Sequence, residues 1–153
     1  MKKYFLPCLV VGSLFIATGC GKEEESKVMT CTKTESIQEG VDMSLNYKVT
    51  YKGDFVQLVE TEETVTSDNK KFLELYQETV EGMYSPYKDV EYYNYEVKID
   101  GDKLISTTNI NYEKIDTGKL IEIDSANKAL IKDGKIKMGD IKAVYEQLGA
   151  ECK

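Results

Sequence analysis

The chain has 153 residues, 41% hydrophobic and 31% charged, with a formal net charge of -7, which fits one ordinary domain and excludes a disordered acidic chain. Its 20 cationic residues are all Lys, so the planar Arg fork that grips phosphate and base edges is absent and a nucleic-acid partner is not expected. His and Trp are also absent. Without His the commonest general base and the commonest metal ligand are missing, so no metal and no cofactor is expected.

Lys2 and Lys3 precede an apolar run over residues 4–17, interrupted by Ser13 and tolerating Pro7 and Gly12. At 1.5 Å per residue the run covers about 21 Å, short of the roughly 30 Å hydrocarbon core, so residues 1–19 read as a signal peptide. Ala17-Thr18-Gly19-Cys20 resembles a bacterial lipobox, with Ala17 where Leu is usual, and makes Cys20 the expected lipidation site. An ordinary secretory signal with a chance Cys is the plainer alternative. Residues 21–27 carry no apolar side chain and read as a charged tether, which leaves residues 28–153 as one folded domain. Loss of Lys2 and Lys3 takes the net charge from -7 to -9, so the acyl chains and not the domain surface are expected to supply membrane attachment.

Cys8 leaves with the leader and Cys20 is lipidated, so Cys31 and Cys152 remain, one at each end of the domain. In an extracytoplasmic compartment a disulfide is the favoured reading. Two separate buried thiols, or a catalytic Cys, are the alternatives, and the last would lack a His partner.

Residues 28–35 form a first candidate strand. From Val41 to Lys52 the alternation is strict, with Val41, Met43, Leu45, Tyr47, Val49 and Tyr51 on one face, and Gly53-Asp54 turns the chain into a second strand over residues 55–66. A helix follows, with Asp68 as its expected N-cap, Phe72, Leu75, Tyr76, Val80 and Met83 as its apolar stripe, and Gly82 and Ser85-Pro86 as its stop. A loop to Tyr92 leads to a further hairpin, in which Tyr93, Tyr95, Val97 and Ile99 alternate with polar residues before Gly101 and a strand over residues 103–112. Asp116 is placed to cap a short helix over residues 117–123, and residues 124–137 read as loop with short pieces of structure. Ile141, Val144, Tyr145 and Leu148 then mark a last helix stopped by Gly149, after which Cys152 emerges in an extended segment.

The two hairpins share the pattern Tyr-x-Val-x-apolar-x-Gly-Asp, at Tyr47 to Asp54 and Tyr95 to Asp102. Any two strands entering a Gly turn can look alike, and ancestral duplication is the other explanation. Neither Gly-Asp pair opens a helix, so neither is a phosphate loop. Hairpins interleaved with amphipathic helices imply an α+β fold, a two-layer α/β sandwich whose antiparallel sheet carries its helices on one face.

The hairpin around Tyr51-Lys52-Gly53-Asp54, the segment Ile110-Asn111-Tyr112-Glu113-Lys114-Ile115-Asp116 and the ending Ile136-Lys137-Met138 with its helix and Gly149 are similar to the YehR-like family of small bacterial lipoproteins. The resemblance spans nearly the whole domain, together with the lipobox and tether. It implies a compact two-layer sandwich on a lipid anchor, in a family without an assigned activity, and it carries over no catalytic residues.

Two groups of side chains merit weighing as sites. Tyr84, Tyr87 and Tyr92 crowd together with Tyr93 and Tyr95 and form a candidate ligand surface for a glycan or peptide, against the plainer reading of core strand residues beside a packed loop. Glu60, Glu62 and Glu63 on one strand, and Asp100 and Asp102 beside a turn, lack the ligand spacing of a calcium loop and read first as a solvated face. The expected role is a monomeric, noncatalytic binding or accessory module of the cell envelope, whose partner is a protein, peptide or glycan. An envelope hydrolase using paired carboxylates is the alternative.

Overall fold

The computed structural model describes residues 24–153, so the expected signal peptide over residues 1–19, Cys8 and the expected lipidation site at Cys20 lie outside the described residues. Three long alternating segments come first: β1 (Lys27–Gln38), β2 (Val41–Lys52) and β3 (Phe55–Ser67). After helix α1 (Lys70–Tyr84) come β4 (Tyr93–Asp100) and β5 (Lys103–Asn111). The remainder is α2 (Thr117–Ile123), a small ribbon of β6 (Ile131–Lys132) and β7 (Lys135–Ile136), α3 (Met138–Gln147) and β8 (Glu151–Cys152). β6 and β7 form a ribbon of their own, and the others make a six-stranded antiparallel sheet in the order β4-β5-β3-β2-β1-β8.

The register explains which residues face inward. Val49 lies opposite Met29 and Val59, and Val59 opposite Ile110, so the apolar half of every strand falls on one face. The helices cover that face, giving the α+β architecture expected from the sequence. One core joins Val49, Val59 and Ile110 to Leu120, Ile136, Ile141 and Tyr145. A second packs Val41, Val65 and Leu104 under Leu73 of α1.

Turn and cap chemistry follows from single residues. Gly53 and Gly101 take φ of +58° and +64° as the first residue of two-residue hairpin loops, a conformation that costs a side-chain-bearing residue. At the end of α3, Gly149 N–H donates to the Glu146 carbonyl and Ala150 N–H to the Tyr145 carbonyl, which closes the helix and redirects the chain into β8. Asp116 caps α2 as expected, its carboxylate accepting from the N–H groups of Gly118 and Lys119.

Helix α1 stops at Ser85-Pro86 as expected, but departs from expectation at its N-cap, at Gly82 and along part of its stripe. Its N-cap is Asn69 and not Asp68, the Asn69 side chain accepting from Phe72 N–H at 3.1 Å. Gly82 lies inside the helix, which continues to Tyr84 and passes into a 3-10 turn over Ser85–Tyr87. The buried positions are Leu73 and Val80, while Leu75 and Met83 are 55% and 57% exposed. On α3, Ile141 and Tyr145 are buried and Val144 is half-buried, but Leu148 lies beyond the last turn and is exposed.

Candidate functional site

The polar half of each strand faces away from the helices and forms a broad open surface. Two rows of paired residues cross it, Asn94–Asn109–Glu60–Lys48 and Glu96–Thr107–Glu62–Asn46, reading from β4 to β2. Between them lies a shallow concavity of about 430 Å³. Its lining is amide, hydroxyl and carboxylate, with Lys48 as its one cation. Lys48 pairs with Glu60 at 2.8 Å, and Lys98 at its margin pairs with Glu96 at 3.3 Å. Glu62 has no cation within ion-pair distance among the described residues. Three Asn amides, each able to donate and accept, suit a ligand with many hydroxyl or amide groups. The polar alternation of β2 and β4 is visible in sequence, but the β3–β5 pairing that makes the two rows continuous is not.

The expected tyrosine surface divides. Tyr87 stacks on Tyr93 with ring centroids 4.7 Å apart, and Tyr84 packs against Tyr95 at 5.4 Å, so both lie half-buried on the helix-covered side. Burial raises the Tyr84 pKa, and the Glu63 carboxylate adds to that shift. Only Tyr92 of the three is exposed, with φ of +68° and the Lys114 ammonium 5.6 Å from its ring centre. The three do not form one platform.

The acidic candidates divide as well. Glu60 and Glu62 face the open surface, whereas Glu63 lies on the opposite face and accepts a 2.7 Å hydrogen bond from the Tyr76 hydroxyl. That phenol is held well above its ordinary pKa by burial and then by the Glu63 carboxylate. Nearby, the Ser106 hydroxyl is buried without a hydrogen-bond partner among the described residues. Asp100 and Asp102 flank the Gly101 turn, and no three Cys, Asp or Glu side chains converge as a metal site among the described residues.

Cys31 and Cys152 are joined by a disulfide that ties the first strand to the last. No helix of the described residues is long and apolar enough to cross a membrane.

A single antiparallel sheet, covered on one face by helices and pinned at one edge by a disulfide between the neighbouring strands β1 and β8, defines an α+β protein with one open polar face. The same fold occurs in solved structures. The NMR structure of the Escherichia coli YehR protein matches with a TM-score of 0.57 and 17% identity, covering 84% of this chain and 91% of that one. The NMR structure of a protein from Streptococcus pneumoniae TIGR4 matches with a TM-score of 0.53 and 14% identity, covering 100% of this chain and 96% of that one. The fold is therefore YehR-like, as the sequence resemblance implied. No family model and no curated protein matches the chain.

Proposed function

We propose that this chain is a lipid-anchored lipoprotein on the extracytoplasmic face of a bacterial membrane, acting as a noncatalytic binding or accessory module of the cell envelope. The observation that carries the reading is the Cys31–Cys152 disulfide, a bond that persists in oxidising compartments and is rare in the cytosol. The sequence Ala17-Thr18-Gly19-Cys20 agrees with it by supplying a secretion signal that ends at a lipidation site. Two acyl chains on Cys20 would anchor the chain stably where one would bind only marginally. The ligand of the open face is then an envelope glycan, peptide or protein segment, recognised by the amides of Asn46, Asn94 and Asn109 and the carboxylate of Glu62.

The test combines location and binding in intact cells. Cys20→Ala is expected to abolish incorporation of a labelled fatty acid and release the protein from the membrane fraction; unchanged retention overturns the anchor. Crosslinking with the anchor in place should capture a partner that Asn109→Ala loses. Turnover of an envelope substrate that disappears in Glu60→Gln or Glu62→Gln would instead establish a hydrolase.

A further inference from the structure

The sheet treats its two edges differently. On the β1 side, β8 covers Cys31 and Thr32, and the register slips between Ser36 and Gln38, an irregularity that interrupts the far end of that edge. The other edge is β4, eight residues with an unbroken register to β5, no Pro and no bulge. Gly101 and Asp102 form a two-residue loop, so Asp100 and Lys103 make the closing hydrogen-bonded pair. At the far end Asn111 N–H donates to the Tyr92 carbonyl, which fixes the same alternation. The even-numbered residues of β4 thus bond to β5, and the N–H and C=O groups of Tyr95, Val97 and Ile99 point out of the sheet. Among the described residues they have no backbone partner; the Tyr93 N–H alone is taken up, by the Val90 carbonyl.

We propose that this edge pairs with β4 of a second copy of the chain, antiparallel about a two-fold axis through Val97. In that register Tyr95 meets the partner's Ile99 and Val97 meets its counterpart through reciprocal backbone hydrogen bonds. Glu96 then lies opposite the partner's Lys98, and Lys98 opposite the partner's Glu96, at the closer, non-hydrogen-bonded positions. The charges select this register. A slide of two residues one way sets Glu96 against Glu96, and the other way sets Lys98 against Lys98 and Glu96 against Asp100. Both side chains are free to reorient, being 65% and 54% exposed. The axis stands perpendicular to the sheet, so both open polar faces point the same way and the Asn94 and Glu96 ends of their rows meet at the junction. The assembly is a dimer, in place of the monomer expected from sequence.

The test uses the full chain in cells, anchor retained, with two differently tagged copies, one carrying Glu96→Cys and the other Lys98→Cys. Oxidation should give a covalent dimer in the mixture, with each variant alone remaining at the level of the unsubstituted chain. Lys98→Glu should weaken association about tenfold or more, and the exchange Glu96→Lys with Lys98→Glu should restore it. Equal crosslinking in single and mixed samples overturns the register. A purely monomeric unsubstituted chain in mild detergent, or capture of a different protein by the Glu96→Cys variant in place of the second copy, overturns the dimer.

Discussion

Cys31 and Cys152 face each other across β1 and β8 with Cα atoms 4.0 Å apart, next to the reciprocal backbone hydrogen bonds of 3.0 and 2.8 Å that join Thr30 to Lys153. They occupy a non-hydrogen-bonded antiparallel site, where opposed side chains come closest. β8 has only two residues, so the bond fixes a strand that its own ladder could hardly hold. The bond links positions 121 residues apart, and its loss is expected to cost about 2–4 kcal/mol. Cys152→Ala is the cleaner variant, since Cys31 is fully buried and Cys31→Ser would bury a hydroxyl. Urea unfolding with and without reductant measures the effect, and an unmoved midpoint in both comparisons would contradict it.

Tyr47 of β2 and Tyr145 of α3 stack with ring centroids 4.1 Å apart and planes 16° from parallel. This contact fastens α3 to the middle of the sheet, and burial raises the pKa of both phenols. Tyr145→Ala is expected to cost about 3–5 kcal/mol through lost burial and a cavity, and Tyr145→Phe much less. A double-mutant cycle with Tyr47→Leu should give about 0.5–1.5 kcal/mol of coupling. Coupling near zero would mean that the rings only fill space.

The strands, both Gly-Asp hairpins and the Asp116 cap were legible because each rests on alternation or on one turn residue. The face of α1 was legible only in part. Around that helix Leu73, Tyr76, Val80 and Tyr84 fall on one side, and Leu75 points almost opposite to Leu73, so the expected stripe of Phe72, Leu75, Tyr76, Val80 and Met83 shares Phe72, Tyr76 and Val80 with the packed side but is rotated by including Leu75 and Met83 and omitting Leu73. The candidate site was half legible for a similar reason. Asn94, Asn109 and Glu60 come from three strands, and only the non-sequential β3–β5 pairing lines them up. Leu73→Ala should therefore cost about 2–5 kcal/mol in urea unfolding. Leu75→Ala should stay within about 0.5 kcal/mol. Equal costs would restore the rotated stripe.

Gly82 and Gly101 give a pair of opposite sign. A Cβ at either would meet nothing within 4 Å, so packing does not distinguish them. Gly82 is helical, and Gly82→Ala should stabilise by about 0.4–1 kcal/mol by narrowing the unfolded ensemble. Gly101 has φ of +64°, and Gly101→Ala should destabilise by about 1–2 kcal/mol. Thermal or urea unfolding decides it; shifts of the same sign would show that backbone conformation is not what sets these two positions apart.

Tyr112 and Tyr145 make the fold sensitive to alkali. Burial, aided by Tyr87, pushes Tyr112 up to about 12, and burial raises Tyr145 further. A phenol whose folded pKa exceeds its unfolded value near 10 contributes its stability in full below that value and loses it as pH rises towards the folded one. Each group should remove about 1.4 kcal/mol per pH unit in that window, so these two remove about 3 kcal/mol per unit, to which Tyr76 and Tyr93, raised likewise by burial, add. Unfolding free energy should therefore hold steady to about pH 9 and fall steeply above about pH 10. Tyrosinate absorbance would appear in two stages, exposed phenols first and the buried ones only with unfolding. Tyr112→Phe should reduce the slope by about one group's share, and a slope unchanged by that substitution would remove Tyr112 from the account.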